Sequence, residues 1–129
     1  MDRQEALELI ETVLSAWNRQ DIDAVISCYT DDCVYQDPNT RGPVVGHDAL
    51  RRYLGRLFEA WKMHWSMREF HLFADRNGGA FLWDAQLTPA SGGKTAEISG
   101  MDLALVRGQQ LCRNEVYFDR MALFGSEQE

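Results

Sequence analysis

The stretch Asp75-Arg76-Asn77-Gly78-Gly79 decides how the chain folds, because its Asn-Gly and Gly-Gly pairs favour a tight reversal between two strands. Residues 64–74 before it and residues 80–88 after it are rich in the aromatic and aliphatic side chains that suit strands. The segment therefore predicts a β-hairpin in the middle of the chain.

Two further strands are predicted after this hairpin. A turn rich in Gly and Ser over residues 89–94 leads to a mostly apolar strand over residues 95–107. A tight turn over residues 108–110 leads to a last strand over residues 111–124, and the polar tail from Gly125 onward is expected to fray. The C-terminal half is thus predicted to form four long antiparallel strands.

The N-terminal half shows helical periodicity instead. Apolar residues recur every three or four positions over residues 3–18, which predicts an amphipathic helix. A second, short helix is predicted from an Asp21 N-cap to Tyr29. A short strand over residues 33–37 follows it.

A third helix is predicted over residues 49–61, with His47 or Asp48 as its cap and Trp61 on its apolar stripe. Three helices followed by four hairpin-linked strands indicate a single α+β domain over residues 1–129. The helices are expected to cover one face of a curved sheet and to leave a cone-shaped pocket between the two layers.

Composition excludes several classes of function. The chain has 129 residues, 45% of them hydrophobic, and a net charge of −7 without a basic block, which argues against nucleic acid and anionic membrane partners. The charged N-terminus and the lack of a long apolar run predict a cytoplasmic protein without a membrane span. Three cysteines without metal-ligand spacing predict reduced thiols and no metal site.

Asp37 is the first candidate for chemistry. It follows the apolar, aromatic segment Cys33-Val34-Tyr35 and precedes Pro38, and a proline disfavours helical backbone at the residue before it. An extended carboxylate beside an apolar surface is a candidate general base. The alternative is an ordinary Asp-Pro turn residue.

Asp102 is the second candidate. Side chains alternate along a strand, so Asp102 shares a face with Ile98, Gly100, Ala104 and Val106. An ionised carboxylate there has to be paired, hydrated or protonated. One interpretation is a carboxylic acid that donates a hydrogen bond to a substrate oxygen, and the other is a carboxylate paired with Arg113 on the neighbouring strand.

The last strand places acidic groups around a tyrosine. Glu115, Tyr117 and Asp119 share a face with Arg113, which either faces solvent or lines the pocket. The aromatic side chains elsewhere are expected in the core or the pocket wall. Those named as candidate substrate contacts, with Glu115 and Tyr117, are Trp17, Tyr29, Tyr53, Trp61 and Trp83.

Three motifs of the chain resemble the NTF2-like superfamily. They are Trp17-Asn18-x-x-Asp21-x-Asp23-Ala24-Val25, Tyr29-x-Asp31-Asp32-Cys33-Val34-Tyr35-x-Asp37-Pro38 and Gly46-x-Asp48-Ala49-Leu50. The ending Asn114-Glu115-x-Tyr117-x-Asp119-Arg120 is similar to the SnoaL-like branch, which includes polyketide cyclases. The resemblance implies an α+β cone, a homodimer through the sheet and an apolar pocket for a small hydrophobic molecule.

The resemblance also implies roles for the acids. Asp37 lies where ketosteroid isomerases carry their general base, and Asp102 where they carry a protonated acid that stabilises an oxyanion. Their oxyanion-hole tyrosine is replaced by Val13, with Tyr29 or Tyr53 as substitutes.

Other members of the superfamily imply different roles. Asp119 resembles the acid–base aspartate of the SnoaL cyclases. An epoxide-hydrolase arrangement of aspartates around an arginine would use Asp102 with Arg68 or Arg113.

Together these patterns predict a cofactor-independent isomerase or cyclase that abstracts a proton next to a carbonyl group. Asp37, Asp102 and Asp119 are its candidate catalytic residues. The alternatives are a non-catalytic ligand-binding or dimerisation module of the same fold and, more remotely, a nuclear transport role, because one fold supports many functions.

Overall fold

The computed structural model describes residues 1–125. Within these residues, four helices and six strands follow one another in the order α1, α2, β1, β2, α3, β3, β4, β5, β6, α4. Their bounds are α1 Arg3–Asn18, α2 Ile22–Ser27, β1 Tyr29–Gln36, β2 Val44–Val45, α3 Gly46–Ala60, β3 Trp61–Leu72, β4 Gly78–Pro89, β5 Ala96–Arg107, β6 Gln110–Phe118 and α4 Ala122–Gly125. Residues 126–129, which include most of the tail expected to fray, lie outside the described part.

The strands form one sheet in the order β2-β1-β6-β5-β4-β3. The four long strands β3 to β6 pair antiparallel, as predicted, and β1 adds to β6 in parallel. The sheet is curved and open, and the core lies between it and the helices. The predicted α+β cone is therefore confirmed.

The first two helices begin at aspartate caps, of which Asp21 was predicted. The carboxylate of Asp2 accepts a hydrogen bond from the Glu5 amide at 2.8 Å, and that of Asp21 accepts one from the Ala24 amide at 3.1 Å. Each cap satisfies an amide that has no partner inside its helix. The face of α1 that carries Ile10, Val13 and Trp17 is thereby directed at the sheet.

The prediction for α2 was too long. The helix ends at Ser27, and Tyr29 begins β1, where it is fully buried and pairs with Leu111 of β6. The Leu111 amide donates to the Cys28 carbonyl at 2.8 Å. Tyr29 would be buried on the apolar stripe of a helix and also in a strand, so burial alone does not distinguish the two. Its pairing with the distant strand β6 makes it a strand residue.

The bounds of α3 also differ from the prediction. The helix begins at Gly46 without a side-chain cap, because the His47 ring bonds instead to the Tyr29 carbonyl at 2.8 Å. It ends at Ala60, and Trp61 starts β3. Trp61 is therefore a strand residue and not part of the helical stripe.

The last strand is shorter than predicted. It ends at Phe118, and Asp119 lies in a turn before the short helix α4. The carboxylate of Asp119 accepts a hydrogen bond from the Met121 amide at 3.0 Å, which stabilises the turn rather than an extended strand.

Candidate functional site

The helices and the inner face of the sheet enclose a narrow cavity that opens to solvent at one end. Its wall is mostly apolar, and carboxyl or amide groups reach it from Asp37, Asn39, Asp102 and Asn114. A mostly apolar wall with few polar groups is typical of small-molecule sites. The aromatic members of the wall are Trp17, Tyr35, Trp65, Phe81, Trp83 and Phe118.

Asp102 lies on β5 at this inner face and is 9% exposed. One carboxyl oxygen accepts a hydrogen bond from the Trp83 indole at 2.7 Å, and the other accepts one from the Asn114 amide at 2.9 Å. Desolvation raises the pKa of Asp102 to about 7, the two donors oppose that rise, and the charge of Asp37 adds to it. Asp102 can therefore carry a proton near neutral pH.

No described arginine bonds to Asp102. Arg113 instead holds Glu115 on the opposite face of the sheet, and Arg68 lies beside Asp84 at 3.5 Å. The predicted Asp102–Arg113 pair is therefore wrong, and so is the epoxide-hydrolase arrangement with either arginine. The two candidate arginines lie on outward-facing positions of their strands, where their guanidinium groups stay hydrated.

A chain of buried hydrogen bonds fixes the Asn114 side chain. The Trp17 indole donates to the Tyr29 hydroxyl at 3.3 Å, and that hydroxyl donates to the Asn114 carbonyl oxygen at 2.7 Å. The Asn114 amide then donates to Asp102 and to the Leu103 carbonyl. Because the Asn114 carbonyl oxygen accepts from Tyr29, the side chain of Asn114 presents its NH₂ group, a donor, to Asp102.

Asp37 follows β1 and receives four donors. One oxygen accepts from the hydroxyls of Tyr35 at 2.6 Å and Tyr53 at 2.5 Å. The other accepts from the amides of Asn39 at 2.7 Å and Thr40 at 3.1 Å. These four contacts match the number of lone-pair sites that a carboxylate offers.

Asp37 therefore fits both interpretations of the Asp37-Pro38 pair, the turn residue and the carboxylate beside an apolar surface. The amide contacts make Asp37 a turn residue, and it also lines the cavity. Burial and the negative charge of Asp37 raise the pKa of Tyr35 and of Tyr53, so both phenols stay protonated as donors to it. The structure thus places one carboxylate and one carboxyl with a raised pKa at the same cavity.

Of the predicted substrate contacts, Trp17 and Trp83 line the cavity. Tyr29 and Tyr53 lie behind its wall, where they hold Asn114 and Asp37. These two tyrosines therefore orient polar groups of the wall rather than line it.

The other four predicted site residues lie outside the lining. Trp61 starts β3, and Asp119 is exposed in the turn after β6. Glu115 is buried on the outer face of the sheet, where the hydroxyl of the half-exposed Tyr117 donates to it at 3.1 Å. The structure therefore does not bring Asp119 together with Asp37 and Asp102.

Among the polar wall residues that were not predicted from the sequence, alternation could have found Trp65 and Asn114. Trp65 shares a face of β3 with Met63 and Met67, whereas the residues between them are exposed. Asn114 shares the apolar face of β6 with Val116. A polar group on an apolar strand face was recognised at Asp102, and the same reasoning applies to Asn114.

A family model described as a SnoaL-like domain matches residues 10–114. The chain belongs to the SnoaL-like family. The match includes Asp37, Asp102 and Asn114 of this SnoaL-like protein and ends before Asp119. Comparison with curated proteins gives no match.

Solved structures similar to this SnoaL-like protein agree on the fold. A Bacillus subtilis protein named as a candidate isomerase has a TM-score of 0.86 at 14% identity, over 97% of this chain and 96% of its own. TerC co-crystallized with polyporic acid has a TM-score of 0.82 at 20% identity, over 97% and 99%. A ketosteroid isomerase-like protein from Erwinia carotovora atroseptica has a TM-score of 0.72 at 26% identity, over 88% and 92%.

These findings confirm the predicted resemblance to NTF2-like, ketosteroid isomerase-like and polyketide cyclase proteins. Names among the structural neighbours also include an epoxide hydrolase, so the family shares a fold rather than one reaction. Within residues 1–125 of the SnoaL-like protein, no helix is long and apolar enough to cross a membrane. The same residues hold no cluster of three His, Cys, Asp or Glu side chains that could bind a metal ion.

Proposed function

We propose that this SnoaL-like protein is a cofactor-independent isomerase or cyclase that removes a proton next to the carbonyl group of a small hydrophobic compound. The observation that carries the proposal is the pair of acids at one apolar cavity. Asp37 meets only donors, which suits a carboxylate base, whereas Asp102 is desolvated and suits a hydrogen-bond donor.

In the proposed reaction, Asp37 takes the proton from the carbon beside the carbonyl group. The electron pair of that C–H bond forms a C=C bond, and the carbonyl π electrons move to the oxygen. The proton of Asp102 is donated in a hydrogen bond to this developing enolate. A preformed donor in an apolar site stabilises such charge more than a donor in water does.

The proton that Asp37 has taken can leave it in two ways, and each completes a different reaction. For an isomerase, the substrate carries a C=C bond next to the deprotonated carbon, so the intermediate is a dienolate. Asp37 returns its proton to the far carbon of that C=C bond, the carbonyl group re-forms, and the double bond moves into conjugation with it. For a cyclase, the enolate carbon attacks a second carbonyl of the same molecule, and the proton of Asp37 passes to the new alkoxide. In both, Tyr35 or Tyr53 has to turn its hydroxyl away from Asp37, because their shared oxygen has no free lone pair in this structure.

The aromatic wall supports a substrate with a flat or bulky apolar body. Trp17 stacks on Tyr35 at a centroid distance of 5.7 Å. Trp83 lines another part of the cavity wall, where its indole bonds to Asp102. A carbonyl oxygen directed at Asp102 would leave that apolar body between these rings. The co-crystallized polyporic acid of TerC is one compound held by a protein of this fold.

A thermal-shift screen tests for a ligand. The panel holds steroid enones, aromatic polyketide esters, terpene epoxides and short keto acids, because a ligand that binds only the folded state raises its Tm. A hit among the enones or polyketides is then assayed for turnover with Asp37→Asn, Asp102→Asn and the matched outer-face control Asp84→Asn.

We expect Asp37→Asn to abolish turnover while the ligand still raises Tm, because the amide cannot accept the proton. Asp102→Asn keeps a donor toward the cavity and is expected to retain much of the activity. Asp84→Asn is expected to match the wild type. Turnover that survives in Asp37→Asn would contradict the proposed base.

A non-catalytic ligand-binding module is the second candidate, and two observations favour it. Asp37 has all its lone-pair sites occupied, and Val13 supplies no hydroxyl to the cavity wall. A donor lost from an oxyanion hole typically lowers the rate by about a hundredfold or more. This candidate predicts a Tm shift with ligand, no turnover, and the same ligand affinity in the Asp37→Asn variant.

We also propose a homodimer through the outer face of the sheet. Met101 and Tyr117 are register partners on that face and are 40% and 50% exposed, with Leu82 and Leu103 half-buried beside them. Light scattering of Met101→Asp tests this, with Met121→Asp outside the sheet as the control. A wild type that is monomeric at micromolar concentration would contradict the proposal.

A further inference from the structure

Trp65 is held more firmly than its place in the first half of the edge strand β3 requires. Its backbone amide donates to the Asn18 side chain at 2.7 Å, and the Asn18 amide donates back to the Trp65 carbonyl at 3.0 Å. This reciprocal pair joins β3 to the end of α1. The indole of Trp65 is therefore fixed as one wall of the cavity.

The indole N–H of Trp65 is buried, and none of the described residues accepts a hydrogen bond from it. Buried donors in folded proteins are nearly always paired, so an exception needs a specific explanation. A phenylalanine at position 65 would fill the wall without leaving a donor unpaired. The N–H is thus a group that the fold itself does not use.

Trp65 is linked to the proposed acid through Trp83, which lies on the strand between them. Its ring stands edge-on to the ring of Trp83 at a centroid distance of 4.5 Å, and the Trp83 indole donates to Asp102. Trp83 has its partner in Asp102, whereas Trp65 has none among residues 1–125. Asp102 itself receives donors on both oxygens, so a proton on it is also available to a ligand.

We propose that the indole N–H of Trp65 donates a hydrogen bond to the oxygen of the bound ligand, as the second donor beside Asp102. This inference rests on the proposed function, because it takes the cavity as the ligand site. The ligand class that fits is an apolar ring compound with an acceptor oxygen, either a carbonyl or an enolate or phenolate. A ligand that offers only N–H donors at that position would face the donors of Trp65 and Asp102 without an acceptor, which disfavours its binding.

The experiment compares 2-naphthol with 2-methylnaphthalene, two probes of similar size that differ in the oxygen. Dissociation constants are measured for the wild type, for Trp65→Phe and for the matched control Trp61→Phe, whose side chain lies outside the cavity lining. We expect Trp65→Phe to weaken 2-naphthol about tenfold, the effect of one hydrogen bond to a partly charged oxygen. Its affinity for 2-methylnaphthalene is expected to stay within about twofold.

A second measurement uses only the wild-type protein, so it does not depend on whether a variant folds. The chain has four tryptophans, so a ¹⁵N-labelled sample gives four indole signals in an NMR spectrum. We expect the Trp65 signal, assigned through its contacts to Trp83, to move downfield with 2-naphthol and to move little with 2-methylnaphthalene. A Trp65 signal that stays in place with 2-naphthol would mean that the N–H rests on the face of the Trp83 ring, and it would overturn the proposal.

The outcomes separate this inference from the proposed function. Equal weakening of both probes in Trp65→Phe means that Trp65 only fills the wall, which overturns the inference and leaves the roles of Asp37 and Asp102 standing. Loss of 2-naphthol affinity alone supports the inference even when Asp37→Asn retains its turnover and the proposed base is wrong. A wild type that binds neither probe overturns the inference, because the cavity then takes no ligand of this class.

Discussion

Two buried acids on adjacent strands, Asp102 on the inner face of β5 and Glu115 on the outer face of β6, are each 9% exposed. Their partners differ in charge. Asp102 is held by two neutral donors, whereas Glu115 is held by the guanidinium of Arg113 and the hydroxyl of Tyr117. The comparison teaches that equal exposure does not mean equal partners. Burial raises the pKa of Asp102 because its two neutral donors do not offset the desolvation, whereas Glu115 has a cation beside it.

The pH dependence of stability is the strongest way to sharpen this comparison. The pKa of Asp102 is about 7 in the folded state and near its ordinary value of 3.8 in the unfolded chain. The folded state therefore binds the extra proton, and this contribution to stability is complete below pH 4 and is lost as the pH rises through 7. The loss amounts to about 4 kcal/mol at most.

We expect the free energy of unfolding of Asp102→Asn to lack this decline, although the variant is less stable at low pH because an amide nitrogen faces one of the two donors. Urea unfolding at intervals from pH 4 to pH 8 measures the difference between the two proteins. The same slope in wild type and Asp102→Asn would show that the inner acid does not retain its proton.

Gly100→Ala breaks the inner face directly. A methyl group at Gly100 would overlap the Tyr117 carbonyl oxygen and would lie 2.6 Å from the Trp83 ring. Because one of these neighbours is backbone, overpacking is expected to cost about 3 kcal/mol and to displace the donor of Asp102. Thermal unfolding measures the loss, and Gly55→Ala on α3, where nothing lies within 4 Å of the new methyl group, is the control. Equal Tm values for the two variants would contradict this.

Arg113→Met tests the outer face and has the smallest expected effect. The change removes the cation from Glu115 but leaves the Tyr117 hydroxyl, and the half-exposed arginine means that solvent already weakens the pair. We expect a loss of about 1 kcal/mol in the free energy of unfolding, with unchanged ligand affinity in the cavity. A ligand affinity that falls with this variant would show that the two faces are coupled.

Local patterns predicted the parts of the molecule that depend on local geometry. The Asp21 cap and the inward direction of Asp102 follow from helix termini and strand alternation, and the sequence around Asp37 placed that carboxylate at the cavity. These features need only neighbouring residues for their definition.

The errors arise where distant residues decide. Tyr29 was assigned to a helix because its spacing from Val25 fits one, and only its pairing with Leu111 makes it a strand residue. The role of Asn114 depends on Tyr29, 85 positions earlier in the chain. No periodicity within the sequence reports such a pairing, so the support of the two acids had to come from the fold.

The parallel pairing of β1 with β6 has a consequence for the order of synthesis. The helices α1 to α3 and β1 leave the ribosome before the long strands, and β1 lacks its parallel partner until residues 110–118 arrive. Closing so long a loop is slow, and the uncovered chain is open to aggregation or chaperone binding until it happens. Because β6 also brings Asn114 to Asp102, the acid acquires its second hydrogen-bond partner, after Trp83 of β4, only when β6 arrives. The inner acid is therefore fully held only at the stage at which β1 is also paired.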